Sequence, residues 1–294
     1  MMEFKRFHPV VNLTYFVMVI GFSVVYMHPV SLAISFVSGL LYSLMLGGKK
    51  VARFNLIYML PLMLVTAVIN PLFNHRGITV LAYLWGGNPL TLEAVIYGFA
   101  AAVMLAAVIC YFSCFNVIMT SDKLTYLFGR IIPSLSLVFS MTLRFVPKFS
   151  AQLKQVVNAQ KSIGRFSSGG TLKRAKNGLS VLSIMTTWAL ENSIETADSM
   201  KSRGFGQGRR TSFSNIRFEK RDLVTLIFMI GAAVYVIIGA LSGVASFQYF
   251  PDMKSADFSS YGFSVFAVYL LLCILPVITE CWEGVKWKLL RRKI

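Results

Sequence analysis

Six apolar runs, at residues 10–27, 29–46, 54–73, 92–119, 223–247 and 261–279, constrain this chain more than any motif it carries. Each reaches or approaches the roughly 20 residues that a helix needs to cross a hydrocarbon core. Inside lipid only a segment that satisfies its own backbone hydrogen bonds can span, so these runs are read as transmembrane helices. With 56% hydrophobic and 14% charged residues, the rest of the chain is too small in polar content to build a soluble core and shell around them. The expected fold is therefore all-α and polytopic, with about six transmembrane helices.

The charge pattern orients the spans. His28-Pro29 separates the first two runs as a tight hairpin, because proline ends one helix and starts the next. The basic stretch at residues 47–53 reads as a loop on the same side as Lys5 and Arg6, which the positive-inside rule assigns to the cytoplasm. The third run leads outward, residues 74–91 form an outer loop with Arg76 as their one charged residue, and the fourth returns. At the other end of the chain, Lys286, Lys288, Arg291, Arg292 and Lys293 hold the C-terminus inside. The reading is a multi-pass cell-membrane protein with both termini cytoplasmic. Lys5 and Arg6 precede an apolar run without a small-residue cleavage site, so that run is expected to be a first span rather than a removable signal. A net charge of +17 suggests nucleic acid, but the basic residues sit in short loops and one insert, and topology accounts for them without such a partner.

That insert is the second constraint. Between residues 148 and 221 there are fourteen Lys and Arg against four acids, Glu191, Glu195, Asp198 and Glu219. It divides the chain into an N-terminal membrane part (1–123, four spans), a surface helix with a cytoplasmic helical hairpin (124–221), and a C-terminal membrane part (222–294, two spans). Residues 124–146 are apolar but broken by Gly129-Arg130, Pro133 and Arg144, and are expected to lie along the membrane surface. Val146, Phe149, Leu153, Val156, Val157 and Gln160 fall on one helical face, and a second helix, about 171–203, carries Leu182, Met185 and Trp188 on one face and Glu191, Glu195, Asp198 and Ser202 on another. Each helix stops at a glycine, Gly164 and Gly204, as a left-handed C-terminal cap requires.

These residues resemble a known family, the transmembrane T component of energy-coupling factor (ECF) transporters. Leu143-Arg144-Phe145-Val146-Pro147 matches its Leu-Arg-Phe-aliphatic-Pro signature, and Ala159-Gln160 with Gly164 is similar to the end of its first coupling helix. Ser202-Arg203-Gly204-Phe205, followed by Gly208-Arg209-Arg210-Thr211, matches its second small-Arg-Gly motif and basic follow-on, and Phe7-His8-Pro9 bears a loose likeness to its N-terminal segment. One departure stands out: the first motif reads Ser162-Ile163-Gly164, with Arg165 one place late. Isoleucine cannot make the charge-assisted hydrogen bonds of a guanidinium, so Arg165 or Lys161 substitutes or the contact is apolar.

The resemblance implies a non-catalytic scaffold without cofactor or metal, used for vitamin or transition-metal uptake. Its two helix ends would dock in grooves of two ATP-binding-cassette ATPases, and its membrane part would grip a small substrate-binding membrane protein, the S subunit. On that basis Ser202, Arg203 and Gly204, with Ser162, Ile163, Gly164 and Arg165, are the expected docking residues. Leu143, Arg144, Phe145 and Pro147 form a structural bend, and Arg209 and Arg210 a basic extension. ATP chemistry would lie in the partners, consistent with the lack of a G-x-x-x-x-G-K-[ST] loop.

Blander readings compete. An isolated Arg-Gly pair is usually a helix end with a snorkelling cation, and it is the flanking residues that favour docking here. Arg144 fits an interfacial arginine, and the acidic face on the second helix fits a solvated one. His8, His28 and His75 are far apart, and Cys110, Cys114, Cys273 and Cys281 read as buried thiols. The alternative function is a membrane-protein insertase, which needs an arginine in a polar groove within the bilayer. Here the arginines sit at cytoplasmic helix ends and only Glu93 charges a span. An intramembrane enzyme would need paired carboxylates or a Ser/His dyad at depth, and none is visible.

Overall fold

The computed structural model describes residues 4–83, 88–131, 133–165, 170–207, 216–243, 246–252, 254–255 and 260–291. A single 3-10 turn, Phe4–Arg6, leads into α1 (Pro9–Val25) and then α2 (Pro29–Phe73), followed by a ribbon of β1 (Val80–Tyr83) and β2 (Pro89–Thr91). Then come α3 (Leu92–Ile118), α4 (Ser121–Ile131), α5 (Pro133–Ser162), α6 (Thr171–Ser202), α7 (Lys220–Leu241), the short pair β3 (Phe247–Gln248) and β4 (Lys254–Ser255), and α8 (Ser260–Arg291). The chain folds as two units, one of residues 1–124 with 216–294 and the other of residues 125–215.

In the first unit, Pro29–Gly48, Leu92–Ile118, Lys220–Leu241 and Ser260–Lys286 are long and apolar enough to cross a membrane. Pro9–Val25 and Ile57–Phe73 are shorter apolar helices that coincide with the other two expected spans. The basic loop expected at 47–53 is not a loop. The backbone stays helical on both sides and only Gly48, at φ 58° and ψ −161°, leaves the helical region, so α2 kinks there. Glycine reaches that conformation without the Cβ clash that bars other residues. Two small antiparallel ribbons, β1 with β2 and β3 with β4, were also not read from the sequence.

His8 and His28 begin α1 and α2 in the same way. Each precedes a proline, and each imidazole Nδ1 accepts the N–H of the valine two residues on, from Val10 at 3.3 Å and from Val30 at 3.2 Å. They cap otherwise unpaired helix donors, the role usually filled by Ser or Asp.

The core of this unit is aromatic, with Phe4, Tyr15, Phe16, Tyr42, Tyr111 and Tyr269 fully or almost fully buried. Its polar atoms are joined across helices. Tyr15 donates to the carbonyl of Cys273 at 2.9 Å, Ser38 and Tyr111 share a hydrogen bond of 2.7 Å, and Ser35 bonds to Tyr269. Where lipid gives helices no hydrophobic reason to associate, such bonds and close contacts between small residues hold them together. The buried alanines of α3 (Ala100, Ala101, Ala102, Ala106 and Ala107) supply those small residues. Cys110, Cys114 and Cys273 are buried as expected, but Cys281 is exposed.

The second unit differs from expectation at its start. The surface helix and the first coupling helix are not separate: α4 ends at Ile131, and α5 then runs unbroken from Pro133 through Pro147 to Ser162. Proline suits the first turn at Pro133, where its missing N–H has no partner to lose.

Candidate docking site

α5 and α6 pack antiparallel, and the register can be followed through side chains. Near one end Lys148 Nζ donates to Asn192 Oδ1 at 2.6 Å and stands 5.7 Å from the centre of the Trp188 ring. Phe149 meets the same indole edge-on at 5.1 Å. Near the other end Arg165 donates from its guanidinium to Ser180 Oγ at 2.8 Å, and the Asn177 amide donates to the Arg165 carbonyl. The packed stripe of α6 is thus Asn177, Val181, Met185, Trp188 and Asn192, at steps of three and four residues.

This corrects the expected faces. Leu182 is exposed, with Val181 in its place, and on α5 Val146 and Leu153 are exposed while Gln152 turns partly inward. Sequence periodicity also missed the latches at Lys148, Asn177 and Ser180, because polar residues at a helix interface do not register as an apolar stripe. Trp188→Ala should loosen the pair by about 2 kcal/mol, since it removes the ring that both Lys148 and Phe149 pack against. Hydrogen exchange of the α5 amides should then quicken roughly 30-fold, and unchanged exchange would show that Trp188 does not hold the hairpin.

Both helices end in the same way. At the first end Gly164 N–H bonds to the Lys161 carbonyl at 2.9 Å and Arg165 N–H to that of Gln160 at 3.2 Å. At the second, Gly204 N–H bonds to Lys201 at 3.0 Å and Phe205 N–H to Met200 at 3.0 Å. These paired bonds, with Gly164 at φ 77° and Gly204 at φ 78°, are two Schellman caps in the same register. Ser162-Ile163-Gly164 and Ser202-Arg203-Gly204 therefore occupy equivalent places. Ile163 matches Arg203, and Arg165 matches Phe205, so each end presents one guanidinium and one apolar side chain with their positions exchanged.

All four of these side chains are exposed, Ile163 at 72% and Phe205 at 44%. Arg165 is tied to Ser180, whereas the side chain of Arg203 has no hydrogen bond or ion pair among the described residues. Ser202 donates to the Asp198 carbonyl at 2.9 Å, and Glu191, Glu195 and Asp198 are exposed. Arg165 reaches Ser180, 22 residues before Ser202, so the two ends lie about 33 Å apart along α6 at 1.5 Å per residue.

The remaining predicted residues lie elsewhere. Leu143, Arg144, Phe145 and Pro147 sit within α5, with Arg144 and Pro147 exposed and Phe145 stacked edge-on with Phe149 at 6.3 Å. Arg209 and Arg210 fall outside the described residues.

In the first unit, a feature that sequence reasoning missed surrounds the two places where the chain leaves for the hairpin and returns. The segment 4–8 has its backbone gripped from several helices. Phe4 N–H donates to Glu280 Oε1 at 3.3 Å, the Lys5 carbonyl accepts from Lys123 Nζ, and His8 N–H donates to Asp222 Oδ1 at 3.2 Å. With its amide oriented to satisfy both neighbours, Asn12 donates to the Phe4 carbonyl at 3.0 Å and accepts from Lys123 at 2.6 Å. Lys123 immediately precedes the departure of the chain, and Asp222 follows its return. Asp222 also accepts Glu219 N–H at 2.9 Å in a capping box at the start of α7. The residues from Glu219 to Asp222 carried that signal in the sequence.

Burial, and after it the charge of Lys5, pulls the Lys123 ammonium down to about 8, with Asp222 acting in the opposite direction. Between that value and the ordinary 10.5, an unfolded chain holds a proton here that the folded one has released. Stability from this group therefore rises with pH across the window, is complete above it, and is lost as pH falls through about 8. Lys123→Met should flatten that rise in thermal unfolding followed in detergent. An unchanged slope would remove Lys123 as its source.

No family model matches the chain. It is 33% identical to the Energy-coupling factor transporter transmembrane protein EcfT of Leuconostoc gelidum subsp. gasicomitatum over 112 residues, 37% of this chain and 42% of the relative. It is 36% identical to the protein of the same name from Lactobacillus helveticus over 101 residues, 34% of this chain and 36% of the relative. The chain is EcfT-like. A longer match, to the EcfT of Staphylococcus aureus, runs over 172 residues at 26% identity and takes in 54% of this chain and 64% of the relative. In all three cases less than two thirds of the EcfT relative is matched. The likeness read from the residues is thus met by relatives named EcfT, and the chain's four helices long and apolar enough to cross a membrane accord with the word transmembrane in that name.

Proposed function

We propose that this chain is the transmembrane scaffold of an ECF-type importer, a non-catalytic subunit that links two cytoplasmic ATPases to a small substrate-binding membrane protein for uptake of a vitamin or a transition metal. The observation that carries the reading is the pair of matching helix ends. Two Schellman-capped tips, each with one guanidinium and one apolar side chain, stand about 33 Å apart along α6, which suits two ATPase subunits better than one.

A helix C-terminus carries partial negative charge, so a cation placed there is stabilised in the free protein and available to an acidic groove. The planar fork of Arg203 fits a carboxylate in two-point geometry, and Phe205 beside it offers the apolar anchor that protein interfaces favour. In this account ATP-driven closure of the ATPases moves the two tips, and the hairpin passes that movement to the substrate-binding subunit. Arg203 transmits force and touches no reacting atom. Both termini face the cytoplasm with the hairpin.

Purification of the tagged protein from its own membranes in mild detergent, with mass spectrometry of what accompanies it, tests the reading. Two ATP-binding-cassette ATPases and a small hydrophobic protein are expected. Ribosomes or nascent chains without ATPases would overturn it in favour of an insertase.

A further inference from the structure

The β1–β2 ribbon has its polarity reversed relative to a water-facing loop. All four side chains of β1, Val80, Leu81, Ala82 and Tyr83, are exposed, so both faces of an apolar strand are uncovered by the described residues. Tyr83 is 74% exposed, Ile78 66%, and Phe73 at the end of α2 81%. The polar groups at the base of the ribbon are turned inward instead. Glu93 and Thr91 are buried, Thr79 N–H donates to Glu93 Oε1 at 3.1 Å, and Thr91 Oγ1 donates to the Arg76 carbonyl at 3.0 Å. Gly77 packs so closely that a Cβ there would lie 2.4 Å from Glu93 Oε2.

A two-stranded ribbon whose first strand has neither face covered, and whose second is only partly buried, is marginal in water. Where the surroundings are apolar the same arrangement is the favourable one, since polar atoms must then pair internally and apolar side chains face out. The sequence agrees, because no charged residue occurs from Gly77 to Thr91, and the one cation of the segment, Arg76, is exposed at the ribbon's base. The ribbon also continues a surface of the same kind. Along the second limb of α2, Leu64, Val65, Val68, Ile69, Leu72 and Phe73 are exposed on an apolar helix, as lipid-facing residues are.

We propose that the β1–β2 ribbon is a membrane-interface anchor, with Phe73, Ile78, Val80, Leu81 and Tyr83 seated at the boundary of lipid headgroups and acyl chains and Arg76 placed to meet lipid phosphate. Tyrosine is suited to that depth, with an apolar ring and a hydroxyl that reaches water. The anchor fixes the end of α2 and the start of α3 at one level of the bilayer. A second copy of the chain and a partner protein are the other occupants such a face could have.

The test uses the full chain with Cys281→Ser, labelled in turn at Val80→Cys, Tyr83→Cys and Gln248→Cys with an environment-sensitive fluorophore. Gln248 is an exposed polar residue at the same end of the unit, where Tyr249 donates to the Met27 carbonyl at 2.6 Å. The labelled proteins are placed in phosphatidylcholine–phosphatidylglycerol vesicles with shallow spin-labelled lipid or aqueous iodide as quencher. Labels at positions 80 and 83 should be quenched by the lipid about twofold or more above the label at 248, and be shielded from iodide. Iodide quenching equal to that at 248 would overturn the anchor in favour of a solvated loop. Shielding from both quenchers would overturn it in favour of a protein partner, with cross-linking between copies of the chain separating a dimer from a heterologous one.

Discussion

Arg203→Glu should weaken association with the proposed ATPase partners by at least ~100-fold, about 3 kcal/mol, while leaving membrane insertion and the hairpin intact. The size follows from reversing a charge at a site where a partner carboxylate would be left facing another. The selectivity follows from the structure. Arg203 is exposed, its side chain makes no hydrogen bond or ion pair among the described residues, and the cap around it is built from backbone groups and Gly204. Arg203→Lys should fall between, by about tenfold, because it keeps the charge and loses the two-point fork. Affinity of the purified variants for the ATPase subunits, beside their yield in the membrane fraction, measures both effects. Normal assembly of the Glu variant would defeat the docking role of this end.

Asp222→Ala should give the largest loss of stability, about 3 kcal/mol, in the membrane unit. Asp222 is 2% exposed and accepts two backbone N–H groups, those of His8 and Glu219. Removing its carboxylate takes the acceptor from the buried His8 N–H, at about 1–3 kcal/mol before relaxation, and breaks the capping box at the part-buried Glu219 N–H, at about 1 kcal/mol. It also takes away a carboxylate whose charge favours the Lys123 ammonium, so Lys123→Met should lessen the damage rather than add to it. Asp222→Asn keeps one acceptor oxygen and should lose about half as much. Thermal unfolding in detergent of the single and double variants reads these differences. A loss within 0.5 kcal/mol, the usual range for surface changes, would show that segment 4–8 is not held by Asp222.

The parts of the fold that the bilayer dictates could be read from the sequence, since a run of apolar residues near span length has few other fates. The helix ends at Gly164 and Gly204 were also legible, because a positive φ at a C-terminal cap selects glycine so strongly. Glycine misled at 47–53, where Gly47-Gly48-Lys49-Lys50 has the composition of a loop but only Gly48 departs from the helix. The faces of α5 and α6 were half legible. Met185 and Trp188 were placed, while Leu182 and Leu153 were turned the wrong way because Lys148, Asn192 and Arg165 pin the register with polar contacts that hydrophobic spacing does not record. The hold on segment 4–8 could not be read at all. It joins Phe4 to Glu280 and His8 to Asp222, more than 200 residues apart, through backbone groups that every sequence possesses.

The departure at Ile163 takes on a physical meaning from the caps. With Ile163 and Arg203 in one position and Arg165 and Phe205 in the other, the two ends share their chemistry but not its placement. A groove shaped for one tip would therefore need its acidic and apolar walls exchanged to fit the other.

The most direct test of the account is photo-cross-linking from each tip in the intact membrane, with a photoreactive residue at position 163 in one chain and at position 205 in another. Each should capture an ATP-binding-cassette ATPase, with the two captured subunits in the same complex. Capture of ribosomal proteins or nascent chains, or of lipid alone at both positions, would contradict it.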